Sequence, residues 1–194
     1  MDNTSGNRKY MAILGISREL FWKYGFRKVT VEEICREAGT SKMTFYRFFP
    51  NKVELAKTVL NLFYEESMVK FREIINGNYS PSEKMRMMIE MKLEGANQIS
   101  DEFIQDIYLG GTPEMTSFME GRIKYFLNET LKDFERGKEE GWLRQDLNVP
   151  AFIYFSQQMT TFLNDKELKK FFKSTPDLIM ELANLLVYGI IPNK

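Results

Sequence analysis

Apolar residues recur along this chain at steps of three and four, a spacing that predicts helices throughout and no strand. The first stripe lies on one face of a long helix and consists of Tyr10, Ile13, Leu14, Ser17, Leu20, Phe21 and Tyr24. Gly25 follows in the position where a left-handed residue commonly ends a helix. The pattern therefore predicts an all-α fold that opens with a long helix ending near residue 24.

Two short helices are predicted to follow the first. Thr30 and Glu33 have the spacing of a capping box at the start of the second helix, and a glycine ends it. A third helix is predicted from about residue 40 to Phe49, because Pro50 disfavours helical geometry in the residue before it. Three helices with a tight glycine turn before the last have the helix-turn-helix layout, in which the later helix enters the major groove of DNA.

The third helix lies in the stretch "TSKMTFYRFFPNK", residues 40–52, which mixes aromatic rings with cations and hydroxyls. Phe45 and Phe48 are three residues apart and are predicted to pack inward. The remaining side chains offer donors to phosphates and base edges. A merely solvated amphipathic helix is the alternative interpretation, and the flanking pattern disfavours it.

The rest of the chain is predicted to be helical as well. Ser80, Pro81 and Glu83 form a second capping signal. The further predicted helices span 51–75, 81–96, 101–109, 113–140, 150–163 and 176–190, with a short lysine-rich helix before the last. This order predicts a DNA-binding head at residues 1–50, a linking helix at 51–75, and a helical body at 76–194.

The charges are unevenly distributed although the net charge of the chain is zero. Residues 1–60 contain eleven Lys and Arg against six Asp and Glu, whereas residues 61–194 contain sixteen against twenty-one. A basic head on an acidic body indicates that the head is the part that meets a polyanion.

The composition argues against several classes of protein. The chain has no His, so it lacks the commonest metal ligand and general base, and no carboxylate spacing singles out a catalytic pair. We therefore expect no enzyme activity, no metal and no cofactor. A single Cys, a polar N-terminus and no apolar stretch long enough to cross a bilayer predict a cytoplasmic protein without a membrane partner.

The last predicted helix is apolar on most of its circumference and must be covered on both sides. One interpretation places it at the centre of a monomer. The other pairs residues 150–163 and 176–190 with the same residues of a second copy in an isologous four-helix interface. The side chains predicted for that interface are Phe152, Phe155, Met159, Phe162, Leu178, Leu182, Leu185 and Leu186.

The stretch "ILGISRELFWKYGFRKVTVEEICREAGTSKMTFYRFFPNKVEL", residues 13–55, resembles the tetracycline-repressor (TetR/AcrR) family of bacterial transcription regulators. The likeness covers about the first quarter of the chain and departs from the family pattern at Met43, Arg47 and Phe48. By this resemblance the DNA-contacting positions are Thr30, Thr40, Ser41, Lys42, Met43, Thr44, Tyr46, Arg47 and Lys52.

The resemblance also implies that the body, residues 76–194, is an effector-binding and dimerisation domain with an effector cavity. Flexible methionines and aromatic rings suit a small apolar or aromatic effector. The side chains predicted to line it are Met85, Met88, Phe103, Tyr108, Phe118, Arg122, Tyr125, Phe126 and Tyr154. The same side chains could simply fill a core, and the sequence leaves both interpretations open.

Taken together, these patterns predict a homodimeric, sequence-specific DNA-binding regulator. It is expected to act as a repressor that a small molecule releases from a near-palindromic operator. The alternatives are a helix-turn-helix protein that organises chromosomes or division without sensing a ligand and, less favoured, an all-α enzyme.

Overall fold

The computed structural model describes residues 3–109, 111–162, 165–174, 177–178, 181–182 and 184–185. Within these ranges it describes the side chains of all residues except 3–5, 82, 85, 89, 92–93, 96–97, 108–109 and 156–162. Every regular element in the described part of the chain is helical, which confirms the predicted all-α class. Among the same residues no helix combines the length and hydropathy needed to cross a bilayer.

The first three helices end close to where the sequence predicts, and α1 begins before its apolar stripe. Helix α1 spans Asn3–Tyr24, α2 spans Val31–Glu37 and α3 spans Lys42–Phe48. Gly25 ends α1 with φ +86°, and its N–H donates to the Phe21 carbonyl at 2.9 Å. Phe49 has extended geometry just before Pro50, so the proline ends α3 where the sequence predicts.

The following helices also agree with the predictions, apart from details at their ends. Their bounds are α4 Lys52–Asn76, α5 Pro81–Asn97, α6 Asp101–Ile104, α7 Pro113–Glu139, α8 Val149–Phe162 and α9 Lys166–Lys169. Residues Gln105–Leu109 continue α6 as a π-helical turn that the sequence pattern does not indicate. The predicted helix at 176–190 lies largely outside the described residues.

The chain divides into two compact units. The first, here called the N-terminal unit, contains Met1–Met68 and Glu94–Arg122, and the second unit contains Val69–Leu93 and Ile123–Lys194. Segment 94–122, which the sequence places in the predicted body, therefore belongs to the same unit as the predicted head. The functional division into residues 1–50 and 76–194 stays a prediction.

Helices α1 to α4 share one apolar core in the N-terminal unit. Phe103, Ile107, Met115 and Met119 are buried in the same core, although they come from residues far along the chain. Trp22 joins the two sets, because its ring lies 4.7 Å from the ring of Phe103 and 5.5 Å from that of Phe63. This packing brings α6 and the π-helical turn against the end of α1.

The second unit is built around aromatic rings. The rings of Phe71, Trp142 and Phe152 surround Phe134 at centroid distances of 6.3, 6.0 and 5.4 Å. Lys84 is buried beside them, where its ammonium donates to the Ile75 carbonyl at 2.5 Å and lies 5.0 Å from the Trp142 ring. The cation therefore caps the C-terminal end of α4 from within the unit.

Helix α7 continues as far as Glu139 through two glycines, and one of them, Gly137, is in contact with Trp142. A Cβ at residue 137 would lie 2.5 Å from the indole ring of Trp142, so only glycine allows that ring to pack on the helix. A Cβ at Gly121, in the same helix, would meet nothing within 4 Å.

These two glycines make a matched pair of predictions for stability. Gly137→Ala is expected to lower the free energy of unfolding by about 1–3 kcal/mol, because the added methyl overpacks the contact with Trp142. Gly121→Ala is expected to raise it by up to about 1 kcal/mol, since alanine favours a helix interior. Urea unfolding followed by circular dichroism measures both, and equal effects would contradict the role assigned to Trp142.

Candidate nucleic-acid interface

Two side-chain caps set the positions of α2 and α3. The Thr30 hydroxyl accepts from the Glu33 N–H at 3.2 Å, and the Ser41 hydroxyl accepts from the Thr44 N–H at 3.1 Å. Each cap satisfies a backbone donor at a helix N-terminus that would otherwise lack a partner. The two hydroxyls therefore stabilise the N-termini of α2 and α3, whether or not they also contact DNA.

The inward face of α3 holds the helix on the N-terminal unit. Phe45 is completely buried and Phe49 nearly so. The ring of Tyr10, on α1, stacks on Phe49 at 5.3 Å and meets the edge of Phe48 at 5.5 Å. The predicted inward packing of Phe45 and Phe48 is confirmed, and it leaves the opposite face of α3 towards solvent.

The outward face of α3 carries Lys42, Met43, Tyr46 and Arg47. All four side chains are exposed, Met43 to 83% and Tyr46 to 53%. At 100° per residue they occupy one continuous arc of the helix surface. The Arg47 guanidinium lies 4.9 Å from the Phe48 ring, a contact that orients it without using its N–H donors.

Lys42 forms an ion pair with Glu32 on α2. The hydrogen bond between them raises the pKa of the Lys42 ammonium and lowers that of the Glu32 carboxyl. Both groups are in solvent, so salt screens the pair and its contribution to stability is small. A phosphate approaching α3 would compete with Glu32 for the same ammonium.

Thr40 and Lys52, both predicted to contact DNA, have side-chain polar groups that do not face solvent freely. The Thr40 hydroxyl oxygen is buried and has no hydrogen-bond partner, so it does not face solvent. The Lys52 ammonium donates to the carbonyls of Phe26, Arg27 and Val29 at 2.8, 3.3 and 2.7 Å. Whether either residue touches DNA stays a prediction, but neither presents an available donor in this conformation.

Cys35 is a core residue. Its side chain is 5% exposed on the inward face of α2, and burial raises the pKa of its thiol. A thiol that resists ionisation is a poor nucleophile and a poor metal ligand. In the described part of the chain no three His, Cys, Asp or Glu side chains are grouped as metal ligands would be.

The predicted effector residues fall in both units. Phe103 is 1% exposed and packs in the core of the N-terminal unit, so it fills space there rather than lining an opening. Arg122 donates to Glu65 at 2.9 Å. In the second unit Met88 is buried, whereas Tyr125 and Tyr154 are exposed.

The other side chains predicted to line the effector cavity do not decide whether the cavity exists. Phe118 and Phe126 are half-buried, and the side chains of Met85 and Tyr108 lie outside the described ones. One open groove of about 690 Å³ runs along α1 and contains none of the predicted residues. It is lined by Gly15, Arg18, Glu19, Trp22, Lys23, Gln98, Ile99 and Ser100. The effector cavity stays a prediction.

The side chains predicted to form the dimer interface differ in how far they are exposed. Phe155 and Leu185 are 54% and 62% exposed, as an interface residue in a single chain should be. Leu178 is completely buried within the chain and presents no surface to a partner, which corrects its place in the predicted set. Phe152 and Leu182 are half-buried, and Met159, Phe162 and Leu186 lie outside the described side chains.

Asp106, in the π-helical turn, is a residue of the N-terminal unit that the sequence pattern did not reveal. Its carboxylate accepts from the Arg27 N–H at 2.8 Å and lies 3.5 Å from the Arg27 Nε. No local motif announces this contact, because the two residues are 79 positions apart.

Comparison with known proteins supports a regulatory role for this geometry. Residues 13–59 match the family model described as bacterial regulatory proteins, tetR family. The HTH-type transcriptional repressor KstR2 of Mycobacterium tuberculosis is 25% identical over 168 residues, which cover 82% of both chains. The nucleoid occlusion factor SlmA of Vibrio vulnificus is 22% identical over 127 residues, covering 66% of this chain and 58% of that protein.

A solved structure agrees with the fold over nearly the whole chain. The fatty acid degradation regulator FadR from Bacillus halodurans superimposes with a TM-score of 0.70 at 19% sequence identity. The superposition covers 92% of this chain and 97% of that one.

Proposed function

Because this chain belongs to the tetR family of bacterial regulatory proteins, we propose that it is a sequence-specific DNA-binding transcription regulator that acts as a repressor. The observation that carries the proposal is the exposed face of α3. Lys42, Met43, Tyr46 and Arg47 point to solvent from a helix that Phe45 anchors in the core. A rigid helix with donors on its outer face is the element that reads a major groove.

The donors on α3 divide into two kinds of contact. The Tyr46 hydroxyl and the Lys42 ammonium suit phosphate oxygens, which supply affinity and position the helix. The Arg47 guanidinium suits the two acceptors on the edge of guanine, a contact that carries sequence information. Affinity should fall as salt rises, because each phosphate that a cation neutralises releases counterions.

We also propose that the protein binds DNA as a homodimer and that a small molecule controls this binding. Two copies of the chain would present their α3 helices to successive major grooves, about 34–36 Å apart. Exposed Phe155 and Leu185 support a homodimer that buries them. A small apolar or aromatic effector would bind outside the DNA interface and favour the form that does not bind operator. To move the population from 1:99 to 99:1, it must prefer that form by about 10⁴-fold.

Selection from a random duplex library tests the proposed function. The purified protein is expected to enrich a near-palindrome with half-sites about 10–10.5 base pairs apart from centre to centre, or a small multiple of that spacing. On the selected duplex, Arg47→Ala is expected to cost about 1–3 kcal/mol of binding free energy and to relax specificity at one position. Tyr46→Phe is expected to weaken binding to selected and random duplexes alike.

The matched control is Arg86→Ala, which removes an exposed guanidinium in the second unit. It is expected to leave duplex affinity and its salt dependence unchanged. Equal losses for Arg47→Ala and Arg86→Ala would contradict the interface, and failure to enrich any duplex would contradict the function itself.

The similarity to SlmA favours a second candidate, a DNA-binding protein of nucleoid occlusion that senses no small molecule. Thermal unfolding in the presence of a panel of small apolar and aromatic compounds separates the two. Saturable stabilisation by one compound, which also weakens binding of the selected duplex, supports the effector-controlled repressor, since only a ligand of the folded state raises its stability. No stabilisation together with tight duplex binding supports the second candidate.

A further inference from the structure

The loop between α1 and α2, residues 25–29 and here called the α1–α2 turn, exposes several polar backbone groups that need partners. Lys52 at the start of α4 satisfies three of them, the carbonyls of Phe26, Arg27 and Val29. An ammonium group has three protons. Since three carbonyls surround it, no proton of Lys52 is left over for a DNA phosphate in this conformation.

Asp106 holds the same turn from another side. Its Oδ2 accepts from the Arg27 N–H at 2.8 Å, and its Oδ1 lies 3.5 Å from the Arg27 Nε. The approach depends on Gly25, because a Cβ there would lie 2.9 Å from the Asp106 Oδ2. The α1–α2 turn therefore sits between a cation that takes its carbonyls and an anion that takes one of its N–H groups.

The electrostatic surroundings support this arrangement. Burial lowers the pKa of the Lys52 ammonium, and the Asp106 carboxylate opposes that shift. The ammonium also lies 4.5 Å from the Phe26 ring. If the Lys52 ammonium moved to a phosphate, it would lose its contacts with the turn carbonyls and the Phe26 ring. The turn carbonyls would then lose their hydrogen-bond donor.

We propose that Lys52 and Asp106 are a positioning pair that holds the α1–α2 turn, and with it Thr30 and the start of α2, where α3 can engage DNA. Lys52 then acts on DNA binding through the turn and not by contact with a phosphate. This inference rests on the DNA-binding function proposed above. It adds a residue, Asp106, from outside the segment that matches the family model.

Hydrogen exchange in the DNA-free protein tests the pair without requiring any duplex. Lys52→Met and Asp106→Ala are expected to speed exchange of the Arg27 amide by about tenfold, the order expected for the loss of one hydrogen bond. Asp106→Asn keeps an acceptor and is expected to retain most of the protection. Lys70→Met, an exposed lysine of the same helix α4, is the matched control and should change nothing in the turn.

The alternative hypothesis, that Lys52 serves only to contact a phosphate, predicts a different exchange result. In that case Lys52→Met would leave the exchange of the turn amides unchanged in the free protein, and the proposal would be wrong. Should Lys52→Met fail to fold, Lys52→Gln replaces it, because its amide keeps two N–H donors on a shorter aliphatic stem.

Duplex binding supplies the second arm, with the duplex enriched by the unmodified protein. Lys52→Met and Asp106→Ala are each expected to weaken binding by about tenfold, and the double variant by far less than a hundredfold, since both act on one turn. The slope of log affinity against log salt should stay that of the unmodified protein. A slope shallower by about 0.9 for Lys52→Met marks a lost phosphate contact and overturns the proposal.

The two failures are distinguishable. If the unmodified protein binds no duplex, the proposed function is wrong, and the exchange experiment still decides what Lys52 and Asp106 do to the turn. If the unmodified protein binds its duplex but the affinity loss of the double variant equals the product of the two single losses, only the proposal of the positioning pair is wrong.

Discussion

Phe45→Ala is expected to lower the free energy of unfolding of the N-terminal unit by about 3–5 kcal/mol, as removal of a buried aromatic ring usually does. Phe45 is completely buried, and its ring lies 5.8 Å from that of Phe49. A loss of this size is a large share of the stability of an ordinary domain, about 5–15 kcal/mol. Duplex binding should therefore fail at a much lower temperature than in the unmodified protein.

Thermal and urea unfolding followed by circular dichroism measure this loss. Met43→Ala is the matched control, because Met43 lies two residues earlier on α3 and is 83% exposed. Its effect on the free energy of unfolding should stay within about 0.5 kcal/mol. If Phe45→Ala were as mild as Met43→Ala, the assignment of inward and outward faces to α3 would be wrong.

Gly25→Ala is the second large expected effect, a loss of about 2–5 kcal/mol in the free energy of unfolding. Two causes add. The backbone of residue 25 is left-handed, with φ +86°, which any residue with a Cβ adopts at a cost. The new Cβ would also lie 2.9 Å from the Asp106 carboxylate and 3.1 Å from the Glu102 Cβ.

Gly15→Ala is the control for this change. Gly15 lies in the same helix α1, and a Cβ there meets nothing within 4 Å, so alanine should stabilise the protein by up to about 1 kcal/mol. Gly25→Asn separates the two causes, because asparagine tolerates the left-handed region but still carries a Cβ. A protein fully as stable as the original after Gly25→Asn would show that the close approach of Asp106 costs nothing.

The predictions from sequence succeeded where the responsible interactions are local. The caps at Thr30 and Ser41 join residues three apart, and Ser80 and Glu83 form the predicted capping box with reciprocal hydrogen bonds. The outward face of α3 follows from the inward direction of Phe45 alone. For these reasons the helix-turn-helix head and most of its exposed donors could be predicted before the structure was known.

The predictions for individual side chains were less secure where burial decides. From the sequence Phe103 could line an effector cavity or fill a core, and in the structure it packs on Trp22 in the N-terminal unit. Leu178 was predicted to face a partner, yet it is buried within one chain. An apolar side chain looks the same in a sequence whether it lines a cavity, joins an interface or fills a core.

The amino-acid sequence by itself determined that this chain is helical, where its first three helices end, and which face of α3 carries the donors proposed for DNA. Its caps, glycine turns and apolar periods all act over a few residues. Only the tertiary structure decided the surroundings of Lys52 and the involvement of Asp106. The carbonyls that hold Lys52 lie 23 to 26 positions away, and Asp106 is 79 positions from Arg27. Contacts at such separations arise from packing, and no local pattern encodes them.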